Sequence, residues 1–208
     1  GSQDIVRSLV HQEKPDIMWI MTDPRFWGWL WEIENEIRQF LPIVYYHVWD
    51  NYPYPYFNKP YYASNDAIAT ISKLTDDVVK TVAPEVKSKY IPHAVDETFQ
   101  RFPDEEVDNF RKQGLGKICD WEKEDKFLFF WNNRNARRKM SGSVLWWFKE
   151  FLDEIGHDKA SLVMHTDPKD IHGQDLEVMS NHLGLTEGQL IISTDKVPPK
   201  VLALLYNT

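Results

Sequence analysis

The sequence predicts an α/β chain made of two Rossmann-like halves, each built on a parallel sheet. Three observations lead there. Short apolar runs alternate with segments of helical period almost throughout, the pattern of parallel strands joined by covering helices. The alternation runs twice, over 1–96 and over 126–208. Between the two runs, residues 97–125 are polar and charged and read as a connector.

In the first half, "DIMWIMTD" (16–23) reads as a buried strand and "FWGWLWEIENEIRQF" (26–40) as one amphipathic helix. "PIVYYHVWD" (42–50) is the next strand, followed by the proline- and tyrosine-rich loop "NYPYPYFNKPYY" (51–62). "DAIATI" (66–71) is a short strand. "SKLTDDVVKTV" (72–82) reads as a helix capped by Ser72, with Asp76 and Asp77 near its positive end. "KYIPHAVD" (89–96) closes the half with a strand broken at Pro92. Within the connector, one helical piece is expected near 104–113.

In the second half, "KFLFFWNN" (126–133) is a strand. "MSGSVLWWFKEFLDEIG" (140–156) places Val144, Phe148, Phe151, Leu152 and Ile155 at helical spacing. "ASLVMHTD" (160–167) and "QLIIST" (189–194) are strands on either side of the helix "DLEVMSNHLG" (175–184). "PPKVLALLY" (198–206) is a last helix opened by proline in its first turn. In such sheets ligands bind outside the carboxyl ends of the strands. The candidate cleft lining is therefore His47–Asp50, Asn132–Lys139, His165–Asp167 and Thr194–Val197.

Composition narrows the classes. Hydrophobic residues make up 42% and charged residues 27% of 208, an ordinary globular balance. The single cysteine, Cys119, excludes an intrachain disulfide and fits a reducing, cytoplasmic setting, with peripheral membrane association left open. No apolar run approaches the ~20 residues of a spanning helix. The net charge of −8 argues against a general nucleic-acid binder, whose affinity comes largely from phosphate neutralisation. No nucleic-acid partner is expected.

Against that acidic background, "FFWNNRNARRKM" (129–140) puts Arg134, Arg137, Arg138 and Lys139 where a strand ends and a helix begins. A helix N-terminus already carries about half a unit of positive charge. The cluster is unfavourable there unless an anion joins it, and no Asp or Glu lies between Trp131 and Lys149. A phosphate is one answer, gripped by two-pronged arginine and mobile lysine. A solvated basic loop, or pairing with acids of the connector, is the other. Neither G-x-G-x-x-G nor G-x-x-x-x-G-K-[ST] occurs, which sets aside classical NAD enzymes and P-loop NTPases.

Four ordered segments resemble glycosyltransferase family 4, the retaining enzymes of the GT-B fold. "FLFFWNNRNARRKM" resembles the start of that family's second domain, where an Arg is followed five residues later by a Lys; Arg134 and Lys139 have this spacing. "KYIPHAVDETFQRFP" (89–103) resembles "IPNGVD…F.P". "DAIATISKLTDDVVK" (66–80) is similar to the strand and helix of "A-D-x-I-x-T-x-S". "EEVDNFRKQGLG" (105–116) is similar to the helix preceding the Arg–Lys strand.

The resemblance implies GT-B-type halves and a nucleotide-diphosphate sugar as donor, with Arg134, Lys139 and the adjacent Asn133 at its diphosphate. It implies transfer with retention to a glycan, lipid or protein acceptor. Fixed cations can stabilise the departing diphosphate in place of a divalent metal. No D-x-D pattern is present, so a metal-independent site with no cofactor is expected. His47 corresponds to a histidine near the transferred sugar and is the catalytic candidate, with a core histidine as the alternative. Asp50 and Asn51 follow it, as sugar contacts or as turn caps. Val197 falls in the loop that meets the nucleobase through main-chain groups.

The family would begin with a further strand and glycine-rich loop, and would continue past Thr208 with an E-x7-E segment. Each half is therefore expected to be incomplete, with exposed edges that leave room for self-association. A nucleotide-sugar or phosphate-binding module without turnover is the alternative to an enzyme.

Overall fold

The computed structural model describes residues 1–115 and 126–208, without the side chains of residues 114 and 115. Cys119, the rest of the connector to residue 125 and the last residues of the 105–116 segment lie outside the described residues. The chain divides into two compact units, Gly1–Ala94 and Val95–Thr208.

The first unit begins with helix α1 (Gln3–Glu13), which the strand–helix reading did not anticipate. Its sheet contains β1 (Met18–Thr22), β2 (Ile43–His47), β3 (Ala67–Thr70) and β4 (Ser88–Tyr90), all parallel and in chain order. The core joins Ile20, Ile43, Tyr45 and Ile68 from the strands to Val78, Val79 and Val82 of α5 (Lys73–Val82). Ser72 caps α5 as expected, its hydroxyl accepting from the Thr75 amide at 3.0 Å.

The segment 26–40 is not one helix. A 3-10 turn at Pro24–Phe26 is followed by two short helices, α2 (Gly28–Trp31) and α3 (Glu34–Ile37). The tryptophans explain the break. The indole N–H of Trp27 donates to the Met21 carbonyl, that of Trp29 to the Phe26 carbonyl and that of Trp31 to the Asn65 side chain. Aromatic residues have modest helix propensity, and satisfying these indole donors, the Trp31 one buried, outweighs a continuous helix. The 51–62 loop also contains structure: a 3-10 turn at Tyr56–Asn58 leads into α4 (Lys59–Ala63).

In the second unit, β5 (Phe127–Asn132), β6 (Ala160–His165) and β7 (Leu190–Ser193) form a parallel sheet, again in chain order. One face packs on α7 (Ser141–Ile155) and α8 (Leu176–Leu183) through Leu145, Phe148, Leu152, Leu162, Met164 and Leu176. The helical piece expected near 104–113 is α6 (Asp104–Phe110), continued by a π turn to Leu115. Val107 of this helix and Phe102 just ahead of it pack with Ala203 and Leu204 of α9 (Pro199–Leu205).

Both units are parallel-sheet, Rossmann-like halves. A doubly wound sheet reverses its strand order at the ligand crevice. Neither sheet shows that reversal among the described residues, so each is one wing of such a sheet. Among the described residues, no helix is long and apolar enough to cross a membrane.

Candidate functional site

Register decides which residues crown each sheet. In the first unit Thr22, His47 and Thr70 are neighbours across the carboxyl ends of β1, β2 and β3. In the second, Asn132, His165 and Ser193 are neighbours across β5, β6 and β7. The expected cleft loops leave from these positions.

The basic loop after β5 is held by the loop after β6. Asn135, fully buried, is the hub. Its amide nitrogen donates to the carbonyls of Gln174 at 2.7 Å and Pro168 at 3.3 Å. Its amide oxygen accepts from the Ser141 hydroxyl at 2.5 Å and the Gln174 amide at 3.3 Å. The Arg137 amide donates to the His172 carbonyl at 3.0 Å, and the Gly142 amide to the Gln174 side chain at 2.9 Å. A Cβ on Gly173 would lie 2.2 Å from the Asn135 carbonyl, so the close approach of the loops requires glycine there.

Arg134 is exposed and makes a two-pronged pair with Asp170: Nε to Oδ2 at 2.6 Å and Nη2 to Oδ1 at 3.1 Å. The Asp170 carboxylate also accepts from the His172 amide at 2.9 Å. Arg134, then that amide, hold its pKa down to about 2. The anion that joins Arg134 is thus an acid of the β6–α8 loop and not one of the connector. Arg137, Arg138 and Lys139 occupy a 3-10 turn, and none has an ion pair among the described residues. Met140 follows in the left-handed conformation, φ 55°, and α7 starts directly after it. Three cations with no carboxylate partner among the described residues therefore precede the positive end of a fifteen-residue helix.

Asn133 is half-buried beside this loop, and Val197 is half-buried ahead of α9. His165 donates to or accepts from the Ser193 hydroxyl at 2.9 Å. Asp167 caps its own turn by accepting from the Lys169 amide at 2.9 Å.

At the other sheet, His47 has no exposed surface. Its Nδ1 lies 2.9 Å from the Tyr45 hydroxyl and its Nε2 2.7 Å from the Tyr62 hydroxyl. Burial pulls its pKa down to about 3 and pushes that of Tyr62 up to about 12. Asp50 and Asn51 are exposed. The Asn51 carbonyl accepts from the Trp49 indole at 2.8 Å, closing the turn.

Sequence reasoning missed Asn135, Asp170, Gly173 and Gln174. The available signal was weak: an asparagine inside a basic run, and an Asp–x–x–Gly–Gln stretch after the second strand.

No protein-family model matches the chain, and no curated protein matches it. Solved structures do. An alpha,alpha-trehalose 6-phosphate synthase from Burkholderia multivorans aligns at TM-score 0.68 and 12% identity, over 98% of this chain and 51% of its own. A UDP-forming alpha,alpha-trehalose-phosphate synthase from Burkholderia xenovorans aligns at TM-score 0.65 and 15% identity, over 99% and 55%. The N-terminal domain of a trehalose-6-phosphate phosphatase from Candida albicans aligns at TM-score 0.62 and 16% identity, over 97% and 51%. The chain spans about half the length of these structures. The likeness shows the fold: two Rossmann-like, parallel-sheet halves of GT-B type.

Proposed function

We propose that the chain carries the nucleotide-sugar half-site of a retaining, metal-independent glycosyltransferase, of the family-4 kind its motifs resemble. The observation that carries the reading is the basic loop of the second unit. It sits at the carboxyl end of a parallel strand, ahead of a helix, and presents three cations without carboxylate partners among the described residues. The structurally similar trehalose-phosphate synthases support a glycosyltransferase in kind, without favouring family 4.

In this reading Lys139 takes the diphosphate as a mobile point charge. Arg134, steadied by Asp170, offers the donors its pair leaves open, and Asn133 lies alongside. As the sugar departs, negative charge grows on the diphosphate, and prepositioned cations lower its energy. No cofactor is required beyond the nucleotide sugar itself. Val197 serves the nucleobase through its main chain. Asp50 and Asn51 are the first unit's candidates for sugar hydroxyls. The acceptor is a glycan, lipid or protein, and the setting is cytoplasmic.

A binding module without turnover is the second reading, favoured by the full burial of His47. Calorimetric titration with UDP, GDP and ADP without metal tests the first step. UDP comes first because one neighbour is described as UDP-forming. Binding of one nucleotide, lost in Arg134→Ala/Lys139→Ala, is the expected result. Binding that survives the double substitution would move the diphosphate elsewhere. Sugar release from the bound nucleotide sugar then separates enzyme from module.

A further inference from the structure

The polar centre at the end of β2 has a direction that its atoms fix. The Tyr45 hydroxyl has one proton, and it donates that proton to the Thr22 carbonyl, which can only accept. Tyr45 must then accept from its other partner, the Nδ1 of His47 at 2.9 Å. A neutral imidazole carries one N–H, so Nε2 is bare and accepts from the Tyr62 hydroxyl at 2.7 Å. Tyr62 in turn accepts from the Asn58 side-chain amide at 3.4 Å. The order runs one way: Asn58 to Tyr62 to His47 to Tyr45 to Thr22.

The terminus of this chain is unusual. Thr22 has φ 120°, a backbone region that a β-branched residue rarely occupies. It is the last residue of β1 and the register partner of His47. After it the chain turns through Asp23 into the Pro24–Phe26 3-10 turn, with the Asp23 carboxylate accepting from the Arg25 amide at 3.1 Å. On the other side of the corner, the Trp27 indole holds the Met21 carbonyl at 2.9 Å. Strained backbone persists only where its surroundings over-determine it, and here two side-chain donors do so.

We infer that His47 is a positioning residue: held as the Nδ1–H tautomer by Tyr62, it orients the Tyr45 hydroxyl, which pins the strained Thr22–Asp23 corner at the mouth of the first sheet. His47 then has no free nitrogen for a substrate, and its contribution passes through the loop it holds. Only the description of this corner as part of a site rests on the glycosyltransferase reading. The tautomer and the corner are tested without any ligand.

The test is nitrogen-15 and proton NMR on the full chain with labelled histidine, His47 being assigned by the signal that His47→Gln removes. The expected spectrum shows a neutral ring with the proton on Nδ1 and a bare Nε2. A proton on Nε2, or a charged ring near neutral pH, would overturn the inference. Two variants read the direction. Tyr62→Phe removes the donor to Nε2 and should let His47 populate both tautomers; in the Nε2–H form the bare Nδ1 competes with the Thr22 carbonyl for the Tyr45 proton, so the amides of 22–26 should shift. Tyr45→Phe should shift the same amides. If they stay in place in either variant, the corner is not held by these bonds, and the positioning role is lost. If one variant fails to fold, the other reads the corner, while the wild-type tautomer decides the direction.

Discussion

The two units solve the same problem in opposite ways. Each brings polar side chains to the carboxyl ends of parallel strands, where ligands of such sheets bind. In the first unit the polar centre is closed: His47 is buried, both its nitrogens are used, and the chain of bonds ends on a carbonyl. In the second unit the centre is open: Asn135 is buried and saturated, but the loop it anchors displays Arg137, Arg138 and Lys139 without acidic partners among the described residues. A saturated buried network rigidifies and specifies a conformation. An exposed cationic loop on a rigid support keeps its valences for something else. The comparison puts scaffolding chemistry on the first sheet and, on the function proposed above, ligand chemistry on the second.

The largest way to break that contrast is His47→Ala. It leaves the Tyr45 and Tyr62 hydroxyls without their buried partner and opens a cavity, so a loss of about 3–5 kcal/mol in chemical denaturation is expected. A loss below about 1 kcal/mol would mean that the centre is not closed.

The pH profile sharpens the same point. His47 has its folded pKa pulled by burial from 6.5 to about 3. The unfolded chain therefore takes up a proton below pH 6.5 that the folded chain refuses. Stability is full above that value and falls as pH drops toward 3, at up to about 1.4 kcal/mol per pH unit from this group. Denaturation midpoints between pH 6.5 and about 4 should show this slope, and His47→Gln should flatten it.

In the second unit, Gly173→Ala drives a Cβ to within 2.2 Å of the Asn135 carbonyl. Displacing backbone should cost about 1–3 kcal/mol and weaken nucleotide binding together with stability. Smaller still in stability is Asp170→Asn, which weakens the two-pronged pair of a half-buried carboxylate with the exposed Arg134 and should lower the thermal midpoint slightly. Lys139→Ala, with no ion pair among the described residues, should leave the midpoint in place and weaken nucleoside-diphosphate binding about tenfold in calorimetry. Asp170→Asn should raise the entropic cost of binding by freeing Arg134. An unchanged binding constant in both variants would remove the functional half of the contrast.

The sequence by itself determined the architecture. Strand–helix alternation is a local property, written in the period of apolar side chains, and it located all seven strands of the described residues. Local chemistry likewise determined the Ser72 cap, the proline-opened α9 and the position of the basic loop at the end of β5. Tertiary structure decided what those residues do. Asp170 lies thirty-six residues from Arg134, and no local pattern marks it as the partner. The single helix expected over 26–40 gave way where indole donors took other partners, among them Trp31 on Asn65, thirty-four residues away, which helical period cannot encode. His47 read equally well as a contact or a core residue; its burial depends on Tyr62, which arrives from α4. Periodicity fixes which face of an element is apolar. Which polar atoms meet, and which stay open, is set only when loops distant in sequence are brought within hydrogen-bond reach.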